Sequence, residues 1–348
     1  LDGRLMATKK VTSLEVAKLA GVSQSAVSRV FTPGASVSKK TNEKVRKAAS
    51  KLGYRPNILA RSLITGKSRI IGLVVAHLDN YFYPEALELL SNALQKKGYH
   101  VLVFMVAKTA GNIDDIVDEI LDYQVDGIIL ASVAMSSNLA SRCTAAGVPV
   151  ILFNRTQDDD RLSVVTSDNL LGGKQVAQFL IAGGHKRIAY IAGWEGASTQ
   201  RDRESGFVDE LKKQGRSLYA REVGNFIQDD ARQAARKMFT NDEIPDAVFV
   251  ASDDMAFAVM DVIRFELGLK IPEHVSVVGY DDVPIASWPA YDLTTIRQPA
   301  NRMVAETVSI ILESIEDQDT KPRRIQIDGP LIMRGSTRIS SNASGENE

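Results

Sequence analysis

The sequence predicts an all-α helix-turn-helix headpiece followed by an α/β core whose strands form two parallel-sheet lobes. Three observations carry that prediction. Residues 1–69 hold 15 lysines and arginines against 3 acidic residues, a balance of +12 in a chain of net charge −1. The same segment shows short helical patterns separated by turn residues rather than low-complexity repeats. From Ile70 onward, apolar runs alternate with longer helix-period stretches, as in parallel sheets covered on both faces.

The headpiece spans 11–56. Ser13–Ala20 places Val16, Ala17 and Ala20 at core spacing. Gly21 ends this helix as a residue able to take positive φ, and Ser23 can cap the next. Gln24–Phe31 then buries Val27, Val30 and Phe31 and shows Gln24, Ser25, Ser28 and Arg29 on its other side. Gln and Arg can form bidentate bonds to base edges when the N-terminal part of such a helix enters a major groove. Serine and threonine hydroxyls bond phosphates, and Thr12 and Ser13 sit where free helix N–H groups also favour phosphate. A third helix, about 39–52, is capped by Ser38, with Val45, Ala49 and Leu52 inward and many lysines outward. A segment this basic on an acidic body implies a polyanion-binding module. Residues 57–69 read as a hinge and linker. Pro56 stops the third helix, and Asn57 can cap Ile58–Leu63, which is too short to be stable alone.

In the body, strands are expected near 70–76, 99–105, 125–131, 148–153, 187–192, 218–223, 246–251 and 275–280. Helices are expected near 85–97, 112–122, 137–146, 169–182, 200–214, 229–239, 254–267 and 299–315, with short extended pieces at 324–327 and 330–334. The body of roughly 270 residues exceeds one comfortable open sheet, so it divides in two, with a break near 164–168. Ligands bind beyond the carboxyl ends of strands in such sheets. Phe82, Tyr83, Asn154, Arg155, Arg203, Ser252, Asp253 and Asp281 fall at or soon after those ends, and Gln298 lies at a crossover. Carboxylate and guanidinium groups suit vicinal hydroxyls, and aromatic faces suit the C–H face of a sugar ring. Trp194, Trp288 and His77 are further candidates near the ligand. His185 reads as a turn residue, and Gly172-Gly173 as a close-packing site at a helix start.

Composition sets the remaining bounds. With 44% apolar and 24% charged residues among 348, wholesale disorder is excluded. No apolar run reaches the ~18 residues of a membrane span. The N-terminus lacks an apolar signal-peptide core, and Leu1–Leu5, before Met6, are given no structural meaning. The single Cys143 excludes an internal disulfide and a multi-cysteine zinc cluster. The histidines at 77, 100, 185 and 274 have no metal spacing. There is no P-loop, no Gly-x-Gly-x-x-Gly after the first strand and no nucleophile–base motif, so neither an enzyme nor a cofactor is expected.

Specific strings add a resemblance. Val11-Thr12-Ser13-Leu14-Glu15-Val16-Ala17, Ala20-Gly21-Val22-Ser23 and Ala26-Val27-Ser28-Arg29-Val30 strongly resemble the headpiece of the lactose repressor/galactose repressor (LacI/GalR) family. Leu52-Gly53-Tyr54, Pro56-Asn57 and Ala60-Arg61-Ser62-Leu63 extend the match. In the body it continues through Phe153-Asn154-Arg155, Gly279-Tyr280-Asp281-Asp282 and Leu293-Thr294-Thr295-Ile296 to about residue 340.

The resemblance implies a periplasmic-binding-protein-like core: 70–165 with 299–328 as one lobe, 166–298 with 329–340 as the other. It implies a hinge helix that pairs with its dimer mate, with Leu63 wedged into the minor groove and Ala60 one turn earlier. The expected DNA contacts are Thr12, Ser13, Ser23, Gln24, Ser25, Ser28, Arg29 and Ser38, with Asn57, Ala60 and Leu63 in the hinge. The expected effector contacts are Phe82, Tyr83, Asn154, Arg203, Phe226, Ser252, Asp281 and Gln298. Asn154 departs from the aspartate common at its position.

The function so implied is a cytoplasmic transcriptional repressor. As a homodimer it binds a pseudo-palindromic operator, and a small polar effector, a sugar or glycoside acting as inducer, controls that binding. A corepressor-dependent regulator of the purine-responsive kind is the alternative, and a solute-binding protein without regulatory role is a third. Residues 341–348 are expected to be disordered, and without leucine heptads to tetramerise them, a dimer is the expected assembly.

Overall fold

The structure is a computed structural model and describes residues 11–32, 35–55, 66–76, 78, 80–106, 113–133, 136–240 and 243–338. It divides into two units, Leu1–Ser68 and Arg69–Glu348.

Among its described residues the first unit holds three helices: α1 (Ser13–Ala20), α2 (Gln24–Val30) and α3 (Lys39–Leu52). Each start has a local cause. Thr12 and Glu15 form a reciprocal capping box at α1, and Ser23 and Ser38 accept from Ala26 N–H and Thr41 N–H at α2 and α3. Gly21 and Gly53 close α1 and α3 in the left-handed conformation. Val16, Ala17, Ala20, Val27, Val30, Val45, Ala48 and Ala49 form the small core. Phe31 sits just past α2 against the Tyr54 ring, 5.9 Å between centroids. Asn57, Ala60, Leu63 and the expected hinge helix lie outside the described residues, as do His77 and residues 341–348.

The second unit contains two six-stranded sheets. The chain runs β1 (Ile70–Val75), α4 (Phe82–Lys96), β2 (His100–Met105), α5 (Ile113–Asp122), β3 (Gly127–Ala131), α6 (Ser137–Ala145), β4 (Val150–Phe153) and β5 (Ser163–Ser167). It crosses into α7 (Asn169–Ala182), β6 (Ile188–Ala192), α8 (Ser198–Lys213), β7 (Ala220–Val223), α9 (Gln228–Phe239), β8 (Ala247–Val250), α10 (Asp253–Asp261), β9 (Ser276–Asp281) and β10 (Thr294–Arg297). It returns through α11 (Ala300–Glu316) and β11 (Arg324–Ile327), then ends in β12 (Leu331–Ile332). The first sheet has the order β11-β5-β4-β3-β1-β2, all parallel. The second has β12-β10-β9-β8-β6-β7, with only β12 antiparallel. Strands β3, β4, β5, β6 and β8 are buried at every residue. Each such aliphatic side chain contributes ~1.5–3 kcal/mol of burial.

The segment near 164–168 is corrected from a break to strand β5, and the chain leaves the first sheet only after Ser167. Residues 166 and 167 therefore belong to the first sheet rather than the second. Strand β10 was not anticipated, because Thr294 and Thr295 interrupt its apolar pattern. Both are fully buried and satisfied: Thr294 donates to the Arg334 carbonyl and Thr295 to Asp253 Oδ1. Helix α4 begins three residues earlier than expected, at Phe82, because Pro84 is tolerated in a first turn. Helix α8 begins at Ser198 rather than 200. The predicted helix over 254–267 is α10 followed by a single π-helical turn, Val262–Glu266. His185 is fully buried, with Nδ1 beside Arg338.

Glycines set the helix packing that matters most for the site. A Cβ on Gly173 would come 2.1 Å from the Arg203 carbonyl oxygen, and one on Gly206 would come 2.0 Å from that of Leu170. Helices α7 and α8 therefore meet backbone to backbone, which fixes where Arg203 projects.

Candidate functional site

In the headpiece, Thr12, Ser23, Gln24, Ser25, Ser28, Arg29 and Ser38 are exposed, and Ser13 is half-buried. Gln24 Nε2 donates to Ser13 Oγ at 2.9 Å, and the Ser23 and Ser25 hydroxyls lie 2.9 Å apart. The first turns of α1 and α2 are thus tied into one polar surface, with Arg29 a turn further along α2. The exposed Lys39, Lys40, Lys44, Lys47 and Lys51 of α3 add positive charge. A face of free helix N–H groups, small hydroxyls, an amide and a guanidinium is suited to phosphates and base edges together.

In the second unit, a cavity of about 420 Å³ lies between the two sheets. Its walls come from the carboxyl ends of strands in both. The first sheet supplies Asn80, Phe82 and Tyr83 after β1, Ser132 after β3, and Asn154 and Arg155 after β4. The second supplies Trp194, Thr199 and Arg203 after β6, then Asn225, Phe226 and Ile227 after β7. Asp281 ends β9 and Gln298 follows β10. Ser132, Asn154, Asn225, Phe226 and Asp281 all have left-handed φ values, between 53° and 135°. Such backbone costs about 1–3 kcal/mol per residue and concentrates at binding sites.

Arg203 is 3% exposed and fully engaged. Its Nε donates to Asn169 Oδ1 at 2.8 Å and its Nη1 to the Ala251 carbonyl. Its Nη2 lies 3.5 Å from Asp281 Oδ1, and its guanidinium carbon is 3.6 Å from the Tyr280 ring centroid. Asp281 also accepts from Gln298 Nε2 at 2.6 Å. Behind it, Asp253 accepts from the Thr295 hydroxyl at 2.6 Å and from Val283 N–H at 3.0 Å. Burial holds the Asp253 carboxyl far above the usual carboxylate range, and the nearby Asp281 charge pushes it further. Burial raises Asp281 too, while Arg203 opposes that rise. Asn154 Nδ2 donates to the Tyr83 hydroxyl at 3.3 Å. Thr156 N–H donates to Ser198 Oγ at 2.8 Å, so the two walls are bonded directly to one another.

Phe82, Tyr83, Asn154, Arg203, Phe226, Asp281 and Gln298 thus all line the one cavity. Ser252 does not. It is fully buried and its hydroxyl accepts from Met255 N–H as the α10 cap, because a hydroxyl at that helix start satisfies a free N–H group. Trp194 is at the wall, whereas Trp288 is 54% exposed and outside the lining. Sequence reasoning did not place Asn80, Ser132, Thr199, Asn225 or Ile227 among the effector contacts. Their only signal was position after a strand, shared by many residues that line nothing. Arg155 was noticed for that position but not ranked among the effector contacts.

A basic helix-turn-helix unit followed by a two-sheet unit with a cavity at its strand ends defines a class: ligand-responsive DNA-binding regulators. The family model described as "Bacterial regulatory proteins, lacI family" matches residues 13–57, and "Periplasmic binding proteins and sugar binding domain of LacI family" matches residues 68–335. The chain belongs to the LacI family of bacterial transcriptional regulators. It is 30% identical to the HTH-type transcriptional repressor PurR of Vibrio vulnificus (strain CMCP6), across 94% of this chain and 98% of that one. Two solved structures are similar. A transcriptional regulator CelR–cellobiose complex is 31% identical, with TM-score 0.71, covering 94% of this chain and 100% of its own. The lac repressor dimer bound to operator and the anti-inducer ONPF is 29% identical, with TM-score 0.85, covering 94% and 99%. Among the described residues no helix is long and apolar enough to cross a membrane.

Proposed function

We propose that this chain is a cytoplasmic repressor that binds a pseudo-palindromic operator as a homodimer and releases it when a small polar carbohydrate occupies the cavity. The headpiece face reads each half-site, with Gln24 and Arg29 at base edges and Thr12, Ser13, Ser23, Ser25, Ser28 and Ser38 on phosphates. Asn57, Ala60 and Leu63 form the hinge contact at the operator centre. The single observation that carries the effector reading is the cavity built from strand ends of both sheets. A ligand touching both walls favours one relative lobe position, and a difference in lobe position is what a shared coupling energy of ~1–3 kcal/mol requires. Aromatic faces at Phe82, Tyr83, Trp194 and Phe226 with polar groups between them suit a ring bearing hydroxyls. The named complex of CelR with cellobiose supports a sugar-type ligand over a purine.

The test is titration of the full chain on promoter DNA from its own locus, with a panel of sugars and glycosides. Weakened binding with a sugar is expected. Tightening would overturn the inducer assignment, and a preference for no DNA sequence would overturn the reading itself.

A further inference from the structure

The two arginines of the cavity are in opposite situations. Arg203 has an amide, a carbonyl, a carboxylate and a ring around its guanidinium. Arg155 is 7% exposed, yet no carboxylate among the described residues pairs with it. Its Nη2 reaches the Ser132 hydroxyl only at 3.4 Å, its Nε has no hydrogen-bond partner, and its guanidinium lies 5.6 Å from the Trp194 ring centroid. Ser132 and Trp194 come from different sheets and both line the cavity, so the guanidinium sits in the cavity wall.

A buried guanidinium stays charged, and a buried charge is costly unless paired. Burial accordingly pushes the ionisation of Arg155 below its ordinary value; Tyr83 opposes that fall and Arg201 adds to it. Among the described residues the lining holds one carboxylate, Asp281, and it is already engaged by Arg203 and Gln298. The lining therefore carries a positive charge with no counter-charge among the described residues. It also carries two free acceptors. Asn154 Oδ1 and Gln298 Oε1, like Arg155 Nε, are buried atoms with no hydrogen-bond partner among the described residues. Unmet hydrogen bonding gathers in this lining, in a pattern that one anion and two hydroxyl donors would satisfy.

We infer that the cavity takes an anionic carbohydrate, whose carboxylate or phosphate docks on Arg155 while its hydroxyls donate to Asn154 Oδ1 and Gln298 Oε1. This rests on the reading of the cavity as the effector site. A carboxylate or phosphate matches the guanidinium fork in two parallel bonds, which a neutral hydroxyl cannot do. Asn154 fits the same logic. An aspartate there would bring a second negative charge next to the docked anion, whereas the amide accepts a hydroxyl without repelling it.

The experiment uses the full chain and calorimetric titration with D-gluconate, D-glucuronate and D-galacturonate, the parent sugars D-glucose and D-galactose, and D-glucose 6-phosphate. At least one anion should bind about tenfold or more tightly than its parent sugar. Arg155→Gln should erase that advantage, and Arg155→Lys should retain part of it. Arg155→Lys keeps the charge and serves should Arg155→Gln not fold. Stronger binding of the phosphate than of the carboxylates assigns a phosphoryl group. The inference is overturned if no anion binds, if the parent sugars bind as tightly, or if Arg155→Gln leaves the anion's advantage intact. A neutral sugar that releases operator equally from wild type and Arg155→Gln removes the anion assignment alone. Ligands that fill the cavity without altering operator binding remove the effector reading instead.

Discussion

Arg203 and Arg29 show how much a single residue's meaning depends on its partners. Arg29 stands exposed on α2, so its charge is available to DNA at little desolvation cost. Arg29→Ala is expected to cost operator binding ~1–3 kcal/mol with relaxed specificity at one base pair, as for a bidentate base contact. Equal losses on operator and random DNA, measured by fluorescence anisotropy, would show a phosphate anchor instead. Arg203 is fixed in place by Asn169, Ala251 and Asp281 and serves as rigid wall. Asp281→Ala removes its carboxylate and frees Gln298 Nε2, so operator release by ligand should disappear in a gel-shift titration. A response equal to wild type would take Asp281 out of the cavity's working set. Residue types at strand ends were legible as candidates. Which of them converge was not: Ser252 and Asp281 both stand at second-sheet strand ends, yet one caps a helix and the other lines the cavity.

At the scale of elements, local signals were sufficient for the headpiece and most strands. Caps, left-handed glycines and apolar spacing act within a few residues, so Ser23, Ser38 and Gly21 marked helix limits that the structure shares. Strand β5 and strand β10 escaped because hydroxyl residues interrupt their apolar runs, and one partner of each lies far along the chain. Ile325 of β11 pairs with Val165, and the Thr294 hydroxyl is satisfied by the carbonyl of Arg334. The α7–α8 contact adds a direct test. Gly173→Ala forces a methyl group onto the Arg203 carbonyl, so the helices must separate. Overpacking of this kind costs ~1–3 kcal/mol. The variant should show a lower Tm by differential scanning calorimetry and weaker ligand binding, because α8 carries Arg203. An unchanged Tm would mean the helices yield without strain.

For the whole second unit, three crossings between sheets decide where the cavity forms: β5 to α7, β10 to α11, and β11 to β12. Asp282 braces the last two from one side. It accepts from Arg297 Nε and from Arg334 Nη2, each at 2.6 Å. Next to it lies the buried pair Asp253 and Asp281, whose carboxyls burial raises in the folded chain. Unfolded, both titrate in the ordinary carboxylate range. Above that range the folded chain therefore holds more protons than the unfolded one, and stability falls as pH rises through the raised values. The stabilising contribution is complete only in acid. Asp253→Asn should flatten the dependence of Tm on pH between about pH 5 and about pH 9, and parallel curves for variant and wild type would refute this origin.

Charge segregation, caps and the two periodicities are properties of neighbouring residues, and from them the amino-acid order alone determined a basic helical headpiece and an alternating α/β body. The cavity depends on something else. Tyr83, Asn154, Arg203 and Gln298 are far apart along the chain, and only the sheet order and the three crossings bring them to one place. Whether a guanidinium there is matched, like Arg203, or has no counter-charge among the described residues, like Arg155, follows from long-range packing and desolvation, which no local pattern encodes.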